Sequence, residues 1–165
     1  MSSLEPAGAA LDLGCGDGRL SGLIGAERLT LADVSAVALS RARERVRGAR
    51  TIELEPDAPL PLRDNEFDLV VCAETLEHVR DVQLLLSEAR RVLRPGGRLA
   101  VTTPGHGRAT GADIVLRGFE RRFDPLSPHL CFFTRGSLRA LLGSLGFEVE
   151  RLESRAGTLL AVATR

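Results

Sequence analysis

Apolar and polar positions along the chain alternate between two periods. "AALDLG" at 9–14, "RLTLAD" at 28–33, "TIEL" at 51–54, "FDLVVCAE" at 67–74 and "RLAVTT" at 98–103 are short, nearly continuous apolar runs. Their length and β-branched content predict buried strands. Between them lie helical patterns. "RLSGLIGA" at 19–26 predicts a short helix, and Ser35 is placed to cap "AVALSRARERVR", which Gly48 ends. "VQLLLSEARRVL" at 82–93 carries apolar residues at helical spacing and is stopped by "RPGG". Thr134 caps a last helix through "GSLRALLGSLG". "FEVERLES" and "AGTLLAVATR" then predict an antiparallel hairpin turning at Ala156 and Gly157. Residues 104–130 are rich in Gly, Pro and Arg and read as irregular, with a short helix at 112–119.

Alternation of strand and helix implies right-handed crossovers. The expected fold class is α/β: a Rossmann-like, doubly wound, mostly parallel seven-stranded sheet closed by the antiparallel C-terminal hairpin. Ligands of such sheets bind beyond the carboxyl ends of the strands. Residues 14–18, 72–78 and 103–106, with Asp33 and Asp57, should therefore converge.

Composition narrows the class further. The chain has 165 residues, the size of one domain, and its formal net charge is zero. A balanced charge speaks against a nucleic-acid partner, which calls for a positive field. Cys15, Cys72 and Cys131 are far apart and form no C-x-x-C pair, as expected of a reducing compartment. No run approaches the length of a membrane span and no signal peptide is visible, so a cytoplasmic protein with no membrane partner is expected.

The chemistry begins with "LDLGCGDG" at 11–18. A dinucleotide loop reads G-x-G-x-x-G, but here Arg19 stands at the third glycine and Asp17 would repel a pyrophosphate. A triphosphate loop needs a lysine, and the chain has none. S-adenosylmethionine suits the loop better. Backbone N–H groups of the turn can receive its carboxylate, while Asp12 or Asp17 holds its ammonium. Asp33, at the end of the second strand, can accept both ribose hydroxyls.

These residues, with "LADVS", "PDAPLPLRDNEFDLVVCAETLEHVRD", "LRPGGRLAVTTP" and "HLCFFTRGSLRALLGSLGFEV" in that order, resemble the class I S-adenosylmethionine-dependent methyltransferases, in particular the ubiquinone-biosynthesis-like ones. The resemblance runs from about Ala9 to the end. It implies that Asp12, Gly14, Cys15, Gly16 and Asp17 frame the methionine moiety. It places Asp33 on the ribose, Val34, Asp57 and Ala58 around the adenine, and Cys72 and Ala73 along the cofactor. Cys15 is read as filling a tight turn rather than reacting. Most members carry a helical cap before the first strand. Residues 1–165 are accordingly expected to form a single methyltransferase domain with a truncated or absent N-terminal cap. A homodimer mate or a partner would then complete the acceptor site.

Within "CAETLEHV", Glu74, Glu77 and His78 stand at i, i+3 and i+4, one face of a helical turn. With His129 they supply a general base, His78 or His129, or alternatively four ligands of a divalent metal. The E-x-x-E-H set with a downstream His is similar to metal-dependent RNA 2′-O-methyltransferases. The reading placed first is methyl transfer to oxygen or nitrogen of a small-molecule or glycan- or lipid-linked acceptor. The alternatives are that RNA enzyme and a non-catalytic cofactor-binding subunit. His106 reads as an exposed loop histidine, and Phe119, Phe123, Phe132 and Phe133 as core or cap packing.

Overall fold

A computed structural model describes residues 7–119 and 127–165. Seven strands form one sheet in the order β3-β2-β1-β4-β5-β7-β6. They are β1 (Ala7–Leu13), β2 (Ala26–Asp33), β3 (Arg50–Glu53), β4 (Phe67–Ala73), β5 (Leu93–Pro104), β6 (Glu148–Arg155) and β7 (Thr158–Thr164). The first five run parallel, and β7 is antiparallel to both β5 and β6. The expected mixed sheet with its terminal hairpin is present.

The helices are α1 (Ala36–Arg45), α2 (Val82–Val92), α3 (Arg108–Arg117) and α4 (Arg135–Ser144). Three start where the sequence supplies an oxygen for an orphan N–H. The side chains of Ser35, Asp81 and Thr134 accept from the amides of Ala38, Leu84 and Ser137. On one sheet face Leu86, Ala89 and Val92 of α2 and Leu138 and Leu142 of α4 pack on Leu11, Val70, Cys72, Leu99 and Val101. The opposite face holds a smaller cluster of Ala10, Leu69, Val71 and Ala100.

Three segments differ from their sequence reading. The helix expected at 19–26 is only a 3-10 turn, Ser21–Leu23. Gly22 and Gly25 weaken it, and β2 begins at Ala26, earlier than expected. The helix expected over 82–93 ends at Val92, and β5 starts at once at Leu93. "RPGG" is absorbed as an irregularity in that strand: Leu93 pairs with Phe67, and Arg98 resumes opposite Leu69. The helix foreseen at 112–119 starts earlier, at Arg108. Among the described residues no helix is long and apolar enough to cross a membrane.

The hairpin turn carries a local cost. Ala156 and Gly157 take φ of 47° and 88°, the left-handed pair of a type I′ turn. The Cβ of alanine crowds the following carbonyl oxygen there, a cost that asparagine offsets through local hydrogen bonding of its side chain. Ala156→Asn should therefore stabilise the fold by about 0.5–1 kcal/mol in urea denaturation. An unchanged or lowered midpoint would contradict that turn assignment.

Candidate active site

All five parallel strands end at one edge, and the loops after β1 to β4, with Leu130, enclose a cleft of about 650 Å³. Gly14, Gly16, Asp33, Val34, Asp57 and Ala58 line it, joined by Glu74, Thr75 and His78 from beyond β4. A second hollow of about 260 Å³ lies against the glycine loop and is lined by Asp12, Cys15, Asp17 and Ala73.

The glycine loop is held by its own backbone. Gly14 and Cys15 N–H donate to the Ala32 carbonyl at 2.8 and 3.1 Å, and Gly18 N–H to Cys15 at 3.0 Å. Gly16 N–H donates to the Asp33 carboxylate at 2.8 Å. The N–H groups of Gly14 and Gly16 are thereby occupied by the end of β2. Their contribution is shape. Gly14 has φ of 78°, and a Cβ there would run into the Thr75 hydroxyl. The second oxygen of Asp33 accepts from Ser35 N–H at 2.9 Å, so one carboxylate ties the loop to the entrance of α1.

The acids separate into distinct roles. Asp17 lines the smaller hollow and is paired with Arg19 and Arg45 at 3.1 and 3.4 Å. Asp12 is buried below the loop and accepts from the Ser21 hydroxyl at 2.5 Å. Burial pushes its carboxyl from 3.8 up to about 6, opposed by the Ser21 hydroxyl and reinforced by the Asp33 charge. Asp57 sits at φ of 55° and pairs with Arg80 at 4.0 Å.

Cys15 and Cys72 sit where burial disfavours a thiolate. Burial, with the charges of Asp12 and Asp33, pushes the Cys15 thiol up to about 12. This agrees with its reading as a turn residue. Cys72 is corrected: it is wholly buried in the core between α2 and the sheet rather than along the cofactor cleft. Its neighbour Ala73 alternates to the other side and reaches the smaller hollow.

"CAETLEHV" does not form the helical face that its spacing predicted. Glu74 leaves β4 at φ of 51°, held by its N–H to the Thr102 carbonyl at 2.8 Å, and its side chain is exposed. Leu76–His78 is a 3-10 turn in which Glu77 is buried. Glu77 accepts from the Thr103 hydroxyl at 2.9 Å, and its carbonyl receives the amides of Leu130 and Cys131. Glu74 thus parts from Glu77, which corrects the four-ligand set. Glu77, His78 and His129 do come together, with potential ligand atoms all within 4.8 Å of one another.

His78 Nδ1 lies 3.2 Å from the Pro128 carbonyl. A carbonyl only accepts, so Nδ1 carries the hydrogen, and in the neutral ring Nε2 holds the lone pair. Nε2 lies 3.9 Å from Glu77, and the His129 ring meets His78 edge-on at 5.0 Å. Pro128 was missed by sequence reading, and Thr75 and Thr103, though inside the segments expected to converge, were given no role of their own. His106 is half-buried and edge-on to Phe132, not an exposed loop residue. Phe133 is buried as expected, Phe119 and Phe132 are largely exposed, and Phe123 lies outside the described residues.

Asp12 gives a pH-dependent prediction. Its folded pKa is raised, so the folded chain holds that proton more tightly than the unfolded one. Its contribution to stability is greatest below about pH 4 and falls as pH rises through about 6. Asp12→Asn removes this fall. The variant should gain on the order of 1–3 kcal/mol over the parent near pH 7.5 and much less near pH 4. Urea denaturation at both pH values reads the difference; a gain independent of pH would contradict it.

Comparison with known proteins agrees with this geometry. The family described as "Methyltransferase domain" matches residues 11–101. The ubiquinone biosynthesis O-methyltransferase of Xanthomonas axonopodis pv. citri is 32% identical over 162 residues, covering 89% of this chain and 66% of that protein. The malonyl-[acyl-carrier protein] O-methyltransferase of Methylococcus capsulatus is 37% identical over 158 residues, covering 91% and 55%. The chain thus spans about half to two thirds of the length of these curated relatives. The crystal structure of an S-adenosylmethionine-dependent methyltransferase from Mesorhizobium loti superposes with a TM-score of 0.74 at 22% identity, covering 100% of this chain and 94% of that one. Sequence family, strand order and the loops at the carboxyl edge agree: the chain belongs to the class I S-adenosylmethionine-dependent methyltransferases.

Proposed function

We propose that this chain transfers the methyl group of S-adenosylmethionine to an oxygen or nitrogen of a small-molecule acceptor, or of one linked to a glycan or lipid. The observation that carries the reading is one cleft shared by Asp33, Asp57, the bare backbone of Gly14 and Gly16, and His78. Asp33 would take the ribose hydroxyls, while Val34, Asp57 and Ala58 would border the adenine. The methionine end would enter the smaller hollow, where Asp12 faces its ammonium. The two curated relatives named above are O-methyltransferases.

Chemistry would follow from position. A lone pair of the acceptor attacks the methyl carbon, and the carbon–sulfur pair returns to sulfur, leaving S-adenosylhomocysteine. A sulfonium is a good leaving group, so orientation and exclusion of water account for much of the rate. An acceptor hydroxyl would pass its proton to Nε2 of His78, whose tautomer the Pro128 carbonyl holds.

A second reading rests on the Glu77, His78 and His129 group. One carboxylate and two imidazoles suit a divalent ion, and a carbonyl on the far nitrogen of His78 is the usual support for a metal-bound ring. An ion held there would make an acceptor hydroxyl more acidic. This is the metal-dependent RNA 2′-O-methyl transfer considered above, and the zero net charge weighs against it.

Radiolabelled S-adenosylmethionine and a panel of phenols, amines and a short RNA separate these readings. The first expects a methylated small molecule, a rate unchanged by chelator, and a loss of about 10²–10⁴-fold in His78→Ala. The second expects chelator to abolish transfer and one divalent ion to restore it. Cofactor binding with no methylated product from any acceptor would contradict both.

A further inference from the structure

The loop between β3 and β4 contains no helix and carries Pro56, Pro59 and Pro61. A proline offers no N–H, so this loop has few amides with which to hold itself in place. At its start the Leu54 N–H donates to the Asp33 carbonyl at 2.9 Å. Further on, side chains of α2 grip the Leu60 peptide from both sides. Its N–H donates to Glu88 at 2.7 Å, and its carbonyl accepts from Arg91 at 3.0 Å. Residues 55–59, between these anchors, make no hydrogen bond to another element among the described residues. They include Asp57 and Ala58, which line the cleft.

Arg91 uses all five of its N–H donors. Nε and Nη2 fork onto the Glu88 carboxylate at 2.8 and 2.7 Å. The others go to the loop: to the Leu60 carbonyl, to the Leu62 carbonyl at 2.9 Å and to the Asp64 carboxylate at 2.6 Å. A planar guanidinium fixes direction as well as distance. The helix that carries it also borders the cleft, through Leu84 and Leu85. One wall of the cleft is thereby set relative to the other. Asp57 has φ of 55°, a conformation that its surroundings must maintain. Pro59, with its fixed φ, stands between Asp57 and Leu60, so a shift at Leu60 is passed on rather than absorbed.

We propose that Arg91, held by Glu88, is a positioning residue for recognition of the cofactor base. It sets where the Asp57 carboxylate stands, and through it the preference for adenine over a base without the 6-amino donor. The proposal rests on the reading that adenine lies against Asp57. It goes further, because neither Arg91 nor Glu88 lines the cleft.

Calorimetry with S-adenosylhomocysteine and S-inosylhomocysteine tests it. The inosyl ligand turns a carbonyl oxygen, an acceptor, toward the carboxylate. The parent should prefer the adenosyl ligand by roughly 10- to 100-fold. Arg91→Lys keeps the charge and loses the fork. Glu88→Met/Arg91→Met removes both charges, so neither is left buried and unpaired. In both variants the Asn65 and Glu66 amides can still donate to the backbone carbonyls of residues 91 and 92, which keeps the end of the loop in place. The preference should fall below about threefold in each, through weaker adenosyl binding. Arg91→Lys decides alone if the double variant does not fold. A merely structural anchor would lower the thermal midpoint and weaken both ligands alike. A preference retained in either folded variant would overturn the proposal and leave the adenine reading standing. A parent that binds both ligands equally would overturn the adenine reading and the proposal with it.

Discussion

One carboxylate holds the site together. Asp33 ends β2 and accepts two backbone amides, from Gly16 in the first loop and from Ser35 at the start of α1. Ser35 in turn caps α1 through the Ala38 amide. Loop, strand end and helix start are thereby fixed relative to one another by charge-assisted bonds, each stronger than a neutral one. The same carboxylate borders the cleft. Parallel strands bring their carboxyl ends to one edge, and this clamp gives that edge a defined shape.

A second support lies across the cleft. Glu77 is buried, accepts from Thr103 at the end of β5, and uses its carbonyl to receive the amides of Leu130 and Cys131. It therefore joins the loop after β4, the end of β5 and the segment that precedes α4. His78 sits on this support, oriented by the Pro128 carbonyl. The potential reacting group is thus positioned by backbone atoms of another loop. That arrangement fixes the orientation of the His78 ring at the cleft while leaving the residue exposed.

Much of the fold was legible because local signals agreed with the tertiary result. Ser35 and Thr134 cap the helices that they were expected to cap. The apolar run from Phe67 to Ala73 is a central strand. Other features depend on contacts that no spacing encodes. Glu74, Glu77 and His78 have helical spacing, yet the left-handed φ at Glu74 throws it out of the turn. Cys72 and Ala73 are adjacent in sequence, and the two-residue period of a strand sends one to the core and the other to the hollow. The pairing of Asp17 with Arg45 from α1 is likewise written in no local spacing.

The central claim is that the Asp33 carboxylate both orders the glycine loop and binds an adenosyl ligand. Isothermal titration calorimetry with S-adenosylmethionine, comparing the parent with Asp33→Ala, tests it most directly. The account predicts a weakening of roughly a hundredfold, from the loss of charge-assisted bonds to the ribose, in a variant whose circular dichroism spectrum matches the parent. Equal affinity in a folded Asp33→Ala protein would contradict it.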